Sequence, residues 1–539
     1  MKTSDIKKFL KKSKNKLILI MITGLLIRLL ISWQDVTLLL ERIVLDDSFY
    51  GYQIAKHIAL GNGITYNGID TTNGLQPLWV FLITPIFLFI KNIYLSVNII
   101  LTVETVLDII NIFLIYKLAK LLFDEKIALL SSLLWAINPL IMFQTLSGID
   151  VTVYITFILA SMYFYYKVQK KLDYKNMLIL GSLIGLAILS RIDGIFLLAA
   201  ISIHILWKRR LGGFSKVIFI SIVTLMITLP WLVWSFFEFG TIVQSSGVTN
   251  YYSSHGIIPY YDLTQPTNIY ETLSMIAENF VRAFGALANQ LGVVDFNFNL
   301  ITIFLLSFFA VTIIASMKFW KKMSIPIIFS VLLVLFYTGY LWGVQIRYMT
   351  AVVPFLVLMI ASGFYNKLLK KRFKLTTLFV LALVLILIVF NGILQWDRGY
   401  FVWQKEIYND AVWVRENIPE DAIIGGFASG IPMYFSNRTF VNLDGVLNFD
   451  AIEAIQNKSM YSYMKSKNIT YWIESSYHNQ TFVERYRSGE EIDIIKENQW
   501  SNVMGDGSEN LELIEARYGI YKHIRGFDML ISFIKVKVN

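Results

Sequence analysis

Residues 43–68 have the sequence IVLDDSFYGYQIAKHIALGNGITYNG, and they follow almost directly on the first long apolar segment of the chain. The acidic pair in this stretch, Asp46 and Asp47, therefore lies just beyond a predicted membrane span. Carboxylates at that depth are costly unless they are solvated or line a site. We interpret the pair as the centre of a candidate active site. The alternative is a solvated pair that starts a surface helix, because Asp and Ser are favoured at helix N-termini.

The composition around this stretch is that of an integral membrane protein. Of the 539 residues, 56% are hydrophobic and only 16% are charged, which is too apolar for an ordinary soluble enzyme of this size. The net charge of +10 comes from Lys and Arg clustered between apolar runs, so it does not indicate a nucleic-acid partner. Because the chain has no cysteine, disulfides, a thiolate nucleophile and a Cys-ligated metal site are excluded.

About eleven apolar segments approach the length of roughly 20 residues that a helix needs to cross the hydrocarbon. They lie near 17–33, 94–118, 127–144, 151–166, 177–190, 194–207, 217–237, 300–317, 325–341, 349–364 and 375–394. A further segment, 77–90, contains two prolines. Its length fits either a short span or a helix that dips into the outer leaflet.

The basic loops predict the orientation, since short loops rich in Lys and Arg stay cytoplasmic. If 77–90 does not cross, the N-terminus and all the basic loops face the cytoplasm. These loops are 120–126, 167–175, 208–216, 318–322 and 367–374. The first outer loop, about 35–76, and a large loop, about 240–297, then face outward. Counting 77–90 as a full span would place every later basic loop outside.

Few cations face outward on this topology, and three of them are candidates for binding an anionic substrate: Lys56, Arg191 and Arg347. The planar fork of Arg matches phosphate oxygens in bidentate fashion. Each has a structural alternative. Lys56, beside His57, would lie on a solvated helix face, Arg191 would pair with Asp193, and Arg347 would anchor a span.

Three carboxylates outside the first loop also need a role. Asp150, in an outward turn, is either a second catalytic group or the cap of the next helix. Glu104 and Asp108 are four residues apart, which puts both on one face of a membrane helix. A proton relay is conceivable, but we favour Arg28 as their buried partner, because charges inside a membrane usually pair.

Residues 396–539 differ from the 1–395 transmembrane module. Short helical patterns alternate with the strand-like segments AIIGGF, TFVNLDG and ITYWIES, an alternation that predicts a small soluble α/β domain outside the membrane. The chain has no phosphate-binding loop, no dinucleotide fingerprint and no His-Glu-x-x-His motif, so ATP-driven transport and zinc hydrolysis lose support. No cofactor is certain from the sequence, and a divalent metal stays open.

Several segments together resemble GT-C glycosyltransferases, in the branch of the protein O-mannosyltransferases and the lipid A aminoarabinose transferase (glycosyltransferase family 39-like). The segments, in order, are LDDSFYGYQIAKHIALGNGITYNG, TNGLQPLW, SGID, LSRIDGIFLL, LPWLVWSFFEFG, QIRYMTAVVPFL and VWVRENIPEDAIIGGFASGIPMYFSNRTFVNLDG. The resemblance implies a polytopic α-helical membrane protein with about 11 to 13 transmembrane helices and a C-terminal extracytoplasmic α/β domain.

The same resemblance implies the chemistry. An inverting glycosyltransferase would move a sugar from a polyprenyl-phosphate donor to a protein, lipid or glycan acceptor at the outer face of a prokaryotic plasma membrane. The first-loop Asp of such families is the catalytic base, a role that maps to Asp46 or Asp47. Relatives often have Glu where this chain has Asp150. A transporter or flippase of a lipid-linked saccharide is the alternative, and inverted repeats or broken helices at the midplane would favour it.

Overall fold

The computed structural model describes residues 13–254, 269–293, 300–339, 344–366, 374–478, 484–485, 487–490, 501–505, 510–522 and 528–539. Parts of the predicted N-terminal segment, of the large outer loop and of the basic loop 367–374 lie outside these residues. The chain forms two compact units. Unit 1 consists of Met1–Gln34, Ile99–Val233 and Ser274–Asp397, and unit 2 of Asp35–Asn98, Trp234–Leu273 and Arg398–Asn539. The boundary predicted at 395/396 stays a prediction.

Helices dominate the described part of the chain. In chain order their bounds are Ser13–Ser32, Val36–Arg42, Asp46–Ala59, Pro77–Phe89, Ile93–Leu122, Glu125–Ile137, Pro139–Thr145, Val151–Val168, Tyr174–Ser190, Ile195–Arg209, Phe214–Phe239, Ser245–Ser254, Ile269–Gln290, Leu300–Ser316, Ser324–Gly339, Ile346–Met349, Val353–Phe364, Lys374–Arg398, Gln404–Asn417, Gly430–Ser436, Phe449–Gln456, Met460–Ser466 and Ser501–Met504. Short 3₁₀ turns join some of them.

Seven helical stretches in the described residues are long and apolar enough to cross a membrane, or up to eight if a bent pair counts as one span. They are Lys14–Ser32, Ile93–Leu122, Val151–Val168, Ile192–Phe239, Leu300–Phe319, Ile346–Phe364 and Leu378–Arg398. Three shorter apolar helices, Pro77–Phe89, Tyr174–Ser190 and Ser324–Gly339, accompany them. The prediction of a multi-pass membrane protein is confirmed, while the number of spans and their orientation stay predictions.

The predicted span 127–144 is not one straight helix. It consists of Glu125–Ile137 and Pro139–Thr145, bent by 70°. The break has a local cause. Pro139 has no N–H and is tolerated only in a first helical turn. The side chain of Asn138 caps the new helix by accepting from the backbone N–H groups of Leu140 and Ile141.

Unit 2 contains a five-stranded sheet with the strand order β2-β1-β3-β5-β4. The strands are β1 (Ile423–Gly426), β2 (Thr439–Asn442), β3 (Ile469–His478), β4 (Leu511–Lys522) and β5 (Asp528–Val538). β1 pairs in parallel with β2 and β3, whereas β5 pairs antiparallel with β3 and β4. The C-terminal α/β region is thus confirmed, and its first three strands are the three strand-like segments predicted from the sequence.

The parallel part of the sheet creates one edge where loops collect. Gly426, the last residue of β1, lies opposite Asn442, the last residue of β2. The chain therefore leaves both strands at the same edge, and side chains of the following loops come close together there. In α/β sheets the carboxyl ends of parallel strands are the usual place for functional groups.

Candidate active site

The predicted acidic pair opens a helix of unit 2, Asp46–Ala59, which we call the first-loop helix. Asp46 and Asp47 are its first two residues, and the N-cap position is Leu45, which makes no side-chain capping bond. Negative charge in the first turn is favourable there because it complements the helix dipole. Asp46 is half-buried, and Asp47 is exposed. The two neighbours thus have different environments.

Asp46 connects the first-loop helix to the sheet domain. Its Oδ1 accepts a hydrogen bond from the backbone N–H of Ile431 at 2.6 Å. The side chain also lies against Gly430, where an added Cβ would meet the carbonyl oxygen of Asp46 at 2.4 Å. One turn later, the hydroxyl of Tyr50 accepts from the backbone N–H of Ser429 at 3.2 Å. These contacts hold segment 429–431 against the start of the helix.

The charge environment of Asp46 is unusual for a carboxyl group. Burial raises its pKa to about 7, and the nearby charges of Asp47 and Asp444 act in the same direction. The hydrogen bond from Ile431 opposes the shift in part. Asp46 therefore titrates near neutral pH while it is engaged in a contact with the sheet domain. Asp47 has the exposure that a group needs to reach a substrate.

Sequence reasoning did not identify several polar residues around this pair. Asp444 follows β2, is fully buried, and accepts a hydrogen bond from the backbone N–H of Val446 at 2.8 Å. Asn442 Nδ2 donates to Ser429 Oγ at 3.2 Å. Both loops start at the carboxyl ends of parallel strands. Their position directly after parallel strands is the sequence signal that could have identified these residues as candidates for the site.

Lys56 lies in the last turn of the first-loop helix, where a positive charge complements the helix dipole. It is half-buried, and burial lowers its pKa. Burial likewise lowers the pKa of His57 to about 4, with Lys56 contributing. The ring nitrogens of His57 lie 3.3 Å from Gln53 Nε2 and 3.1 Å from Asn62 Nδ2. His57 is thus held as a neutral structural group, and Lys56 is the cation of this pair.

Two of the other predicted residues form an ion-pair cluster in unit 1. Arg191 Nη1 donates to Asp150 Oδ2 at 2.9 Å, and Arg191 Nε donates to Asp193 Oδ2 at 3.1 Å. The hydroxyl of Tyr337 also donates to Asp193, at 2.6 Å. All three charged side chains are buried. Asp150 makes no side-chain capping bond to the helix that follows it. Its carboxylate therefore pairs with Arg191 and does not cap that helix.

Arg347 lies beside this cluster through an aromatic ring. The guanidinium of Arg191 lies 5.4 Å from the ring centre of Tyr348, and that of Arg347 lies 5.5 Å from it. Tyr348 in turn stacks on Tyr337, with ring centres 4.6 Å apart and planes at 14°. Such cation–π contacts orient guanidinium groups. The structure therefore brings Asp150, Arg191 and Arg347 together in unit 1, while Asp46, Asp47 and Lys56 belong to unit 2.

The charges of the cluster indicate what each arginine can do. Arg191 faces two carboxylates, so the three groups together carry a net charge of −1. A further anion gains little from Arg191, whose guanidinium is instead fixed in place. Arg347 is half-buried and lies over the ring of Tyr348, and it stays a candidate for contact with an anionic substrate. The described residues contain no group of three or more His, Asp or Glu that could hold a metal ion.

Comparisons with known proteins agree with this architecture. Residues 76–234 match the family described as dolichyl-phosphate-mannose-protein mannosyltransferase. No curated protein shows significant similarity to the chain. Among solved structures, the oligosaccharyltransferase of Archaeoglobus fulgidus with a tethered acceptor peptide is 14% identical with a TM-score of 0.55. That match covers 94% of this chain and 73% of the other.

Two further solved structures contain a lipid phosphate. The A. fulgidus oligosaccharyltransferase AglB, in complex with an inhibitory peptide and a dolichol-phosphate, is 15% identical with a TM-score of 0.54, covering 94% of this chain and 74% of that one. ArnT from Cupriavidus metallidurans bound to undecaprenyl phosphate is 11% identical with a TM-score of 0.57, covering 95% and 97%. At these identities the likeness establishes a shared fold, which confirms the predicted fold class.

Proposed function

We propose that this chain, which has the GT-C fold and matches the mannosyltransferase family over residues 76–234, is a membrane glycosyltransferase that uses a polyprenyl-phosphate-linked sugar donor. The observation that carries the proposal is the acidic pair of the first loop, in which Asp46 is engaged by the sheet domain and Asp47 is exposed. The lipid phosphates bound by AglB and ArnT support the class of donor.

In the proposed reaction, Asp47 is the general base. Its carboxylate takes the proton of an acceptor hydroxyl while that oxygen attacks the anomeric carbon of the donor sugar. The bond between the anomeric carbon and the phosphate oxygen breaks, and polyprenyl phosphate leaves with the electron pair. Attack from the side opposite the phosphate inverts the anomeric centre. This role needs a reachable carboxylate more than a shifted pKa.

For the leaving phosphate we propose Arg347 as the main cation, with Lys56 as a second candidate. Arg191 is assigned to orienting the cluster, because two carboxylates already balance its charge. Asp150 is then a positioning residue for Arg191 rather than a base. A bidentate guanidinium stabilises the negative charge that develops on the phosphate as the glycosidic bond breaks.

The remaining parts of the proposal concern location and partners. We propose that the N-terminus is cytoplasmic and that the C-terminal domain lies outside a prokaryotic plasma membrane, as the basic loops predict. The acceptor is a protein, lipid or glycan with a free hydroxyl. None of the matched proteins reported above is described as a transporter, so the flippase alternative has gained no support.

The test compares cells that contain the wild-type chain, the Asp47→Asn variant or no chain. Mass spectrometry of their membranes would measure polyprenyl-phosphate sugars and surface glycans. We expect one donor to accumulate, and one glycan to disappear, in the last two cases. Equal donor and glycan pools in all three would overturn the proposed activity.

A further inference from the structure

Three polar residues form a stripe on the apolar helix Ile93–Leu122. Glu104, Asp108 and Asn111 are spaced by four and three residues, which places them on one face, and all three are fully buried. We call them the polar stripe. Burying such groups in a membrane helix costs free energy unless they are paired. Their partners therefore indicate what the stripe is for.

Asp108 has its charge neutralised within unit 1. Arg28 Nε donates to Asp108 Oδ2 at 2.7 Å, as expected for an intramembrane ion pair. Trp135 Nε1 donates to Oδ1 at 2.9 Å, and Thr145 Oγ1 donates to Oδ2 at 3.0 Å. Thr145 is the last residue of its helix, just before the segment that leads to Asp150. Through this hydrogen bond from Thr145, Asp108 holds the beginning of that segment.

Glu104 has a different partner. Its Oε2 accepts a hydrogen bond from the backbone N–H of Gly148 at 3.1 Å. Gly148 has a φ of +83°, a conformation that favours glycine and exposes its N–H to the stripe. Glu104 Oε1 has no hydrogen-bond partner among the described residues. Arg28 pairs with Asp108 but not with Glu104, so the expected pairing holds for only one of the two carboxylates.

Hydrogen bonds also hold the same segment at its other end. Thr152 Oγ1 donates to the carbonyl of Thr145, and Asn111 Nδ2 donates to the carbonyl of Thr152 at 3.3 Å. The polar stripe therefore contacts segment 145–152 at its beginning, middle and end. Asp150 lies in this segment, and its carboxylate pairs with Arg191 at 2.9 Å.

We propose that Glu104 is a positioning residue that, by holding Gly148, sets the Asp150–Arg191 pair and through it the donor-phosphate site. This inference rests on the proposed function, because the site it serves is the one proposed there. A side chain that only filled space at this position would be apolar, since a buried carboxyl with an unsatisfied oxygen is destabilising. The contact to Gly148 is what offsets that cost.

The test is steady-state kinetics of the purified full-length protein with a polyprenyl-phosphate sugar. Glu104→Met has a similar length but accepts no strong hydrogen bond, and we expect it to raise the donor KM about tenfold or more, with a smaller effect on kcat. Glu104→Gln keeps an oxygen that can accept from Gly148, so its KM should stay near the wild-type value. Thr152→Val removes one hydroxyl that holds segment 145–152, so it should also raise the donor KM. This second variant keeps the test possible if Glu104→Met does not fold.

Thr105→Val is the matched control, because Thr105 is the next residue of the same helix and its hydroxyl lies 3.1 Å from Ser32 Oγ instead of facing the loop. Its donor KM should be unchanged. An unchanged KM in Glu104→Met would overturn the positioning role. An equal rise of the donor KM in Glu104→Met and Glu104→Gln would also overturn the positioning role. The charge of Glu104, or a proton transfer by it, would then be what matters instead of its accepted hydrogen bond. If Asp46→Asn and Asp47→Asn both transfer sugar at the wild-type rate, the proposed function fails instead.

Discussion

Asp46 Oδ1 accepts a 2.6 Å hydrogen bond from the backbone N–H of Ile431, a residue 385 positions later in the chain. The contact joins the first loop to the C-terminal sheet domain within unit 2. It also separates the roles of two adjacent aspartates. Asp46 is engaged in holding the segment after β1, so its neighbour Asp47 is left exposed at the start of the helix.

The raised pKa of Asp46 predicts a specific pH dependence of stability. Its pKa is about 7 in the folded protein against 3.8 for an ordinary Asp. Between those values the unfolded chain is ionised and the folded chain is protonated. Stability contributed by this group is therefore present at low pH and is lost as the pH rises toward 7, by at most about 1.4 kcal/mol per pH unit.

Asp46→Asn should remove this dependence, because the amide oxygen can still accept from Ile431 and no charge is buried. Thermal unfolding of the purified protein from about pH 5 to about pH 8 would measure the difference. We expect the variant to lose less stability than the wild type across this range. Asp421→Asn, at an exposed carboxylate of the same unit, is the control. Parallel curves for wild type and Asp46→Asn would contradict the prediction.

Gly430 should not tolerate a side chain. A Cβ there would lie 2.4 Å from the carbonyl oxygen of Asp46 and 2.9 Å from its Oδ1, so the helix start or the loop has to move. We expect Gly430→Ala to lower the free energy of unfolding by about 1–3 kcal/mol, as for overpacked sites. Gly212→Ala is the matched control, because nothing lies within 4 Å of its Cβ position. Similar unfolding midpoints for the two variants would argue against a close contact at Gly430.

Much of the fold follows from local sequence patterns, but the site depends on contacts that such patterns do not contain. β1, β2 and β3 are predictable because they are short runs of β-branched and aromatic residues bounded by turn-forming residues, such as Gly426 and Asn442 at the ends of β1 and β2 and Asn468 before β3. The bend at Asn138 also has a local signal, the following Pro139, which hydropathy alone ignores. The bond between Asp46 and Ile431 has none, because any residue other than proline offers the same backbone N–H.

The ion pairs show the same limit. Arg191 and Asp193 are two residues apart, so their pairing is a natural expectation from sequence. Asp150 is the second partner of Arg191 and lies 41 positions away. Only the packing of their helices brings the two together. The sequence therefore predicts candidate charged residues, but not which of them lie close enough to neutralise each other.

The topology predicts which surfaces an impermeant thiol reagent can reach, and the chain has no cysteine of its own. Single cysteines at Ile69 and Ser466, both exposed in unit 2, should react in intact cells. A cysteine at Lys322, which is exposed in a basic loop, should react only after the cells are opened. The opposite pattern would reverse the orientation and remove the basis for an outward active site.

Donor binding should depend on Arg347 through both its charge and its shape. We expect Arg347→Ala to weaken binding of a polyprenyl-phosphate sugar by about 1.5–3 kcal/mol, the range of a charge-assisted hydrogen bond. Arg347→Lys keeps the charge but loses the planar fork, so its affinity should be intermediate. Arg282→Ala is the control, since that guanidinium is paired with Glu278. Wild-type affinity in both Arg347 variants would leave Arg347 as an anchor of its helix.

The turnover of single variants distinguishes most directly which of the two aspartates is the catalytic base. Asp47→Asn keeps the shape of the side chain but cannot take the acceptor's proton, so turnover should fall by about two to four orders of magnitude. Asp46→Asn should retain turnover within about tenfold of wild type, because its contact to Ile431 can persist and its role is not proton transfer. The measurement is kcat of each purified variant, corrected for the folded fraction, with one donor and one acceptor. If Asp46→Asn is the inactive variant, the assignment is reversed. If both variants turn over at the wild-type rate, the first loop does not supply the base.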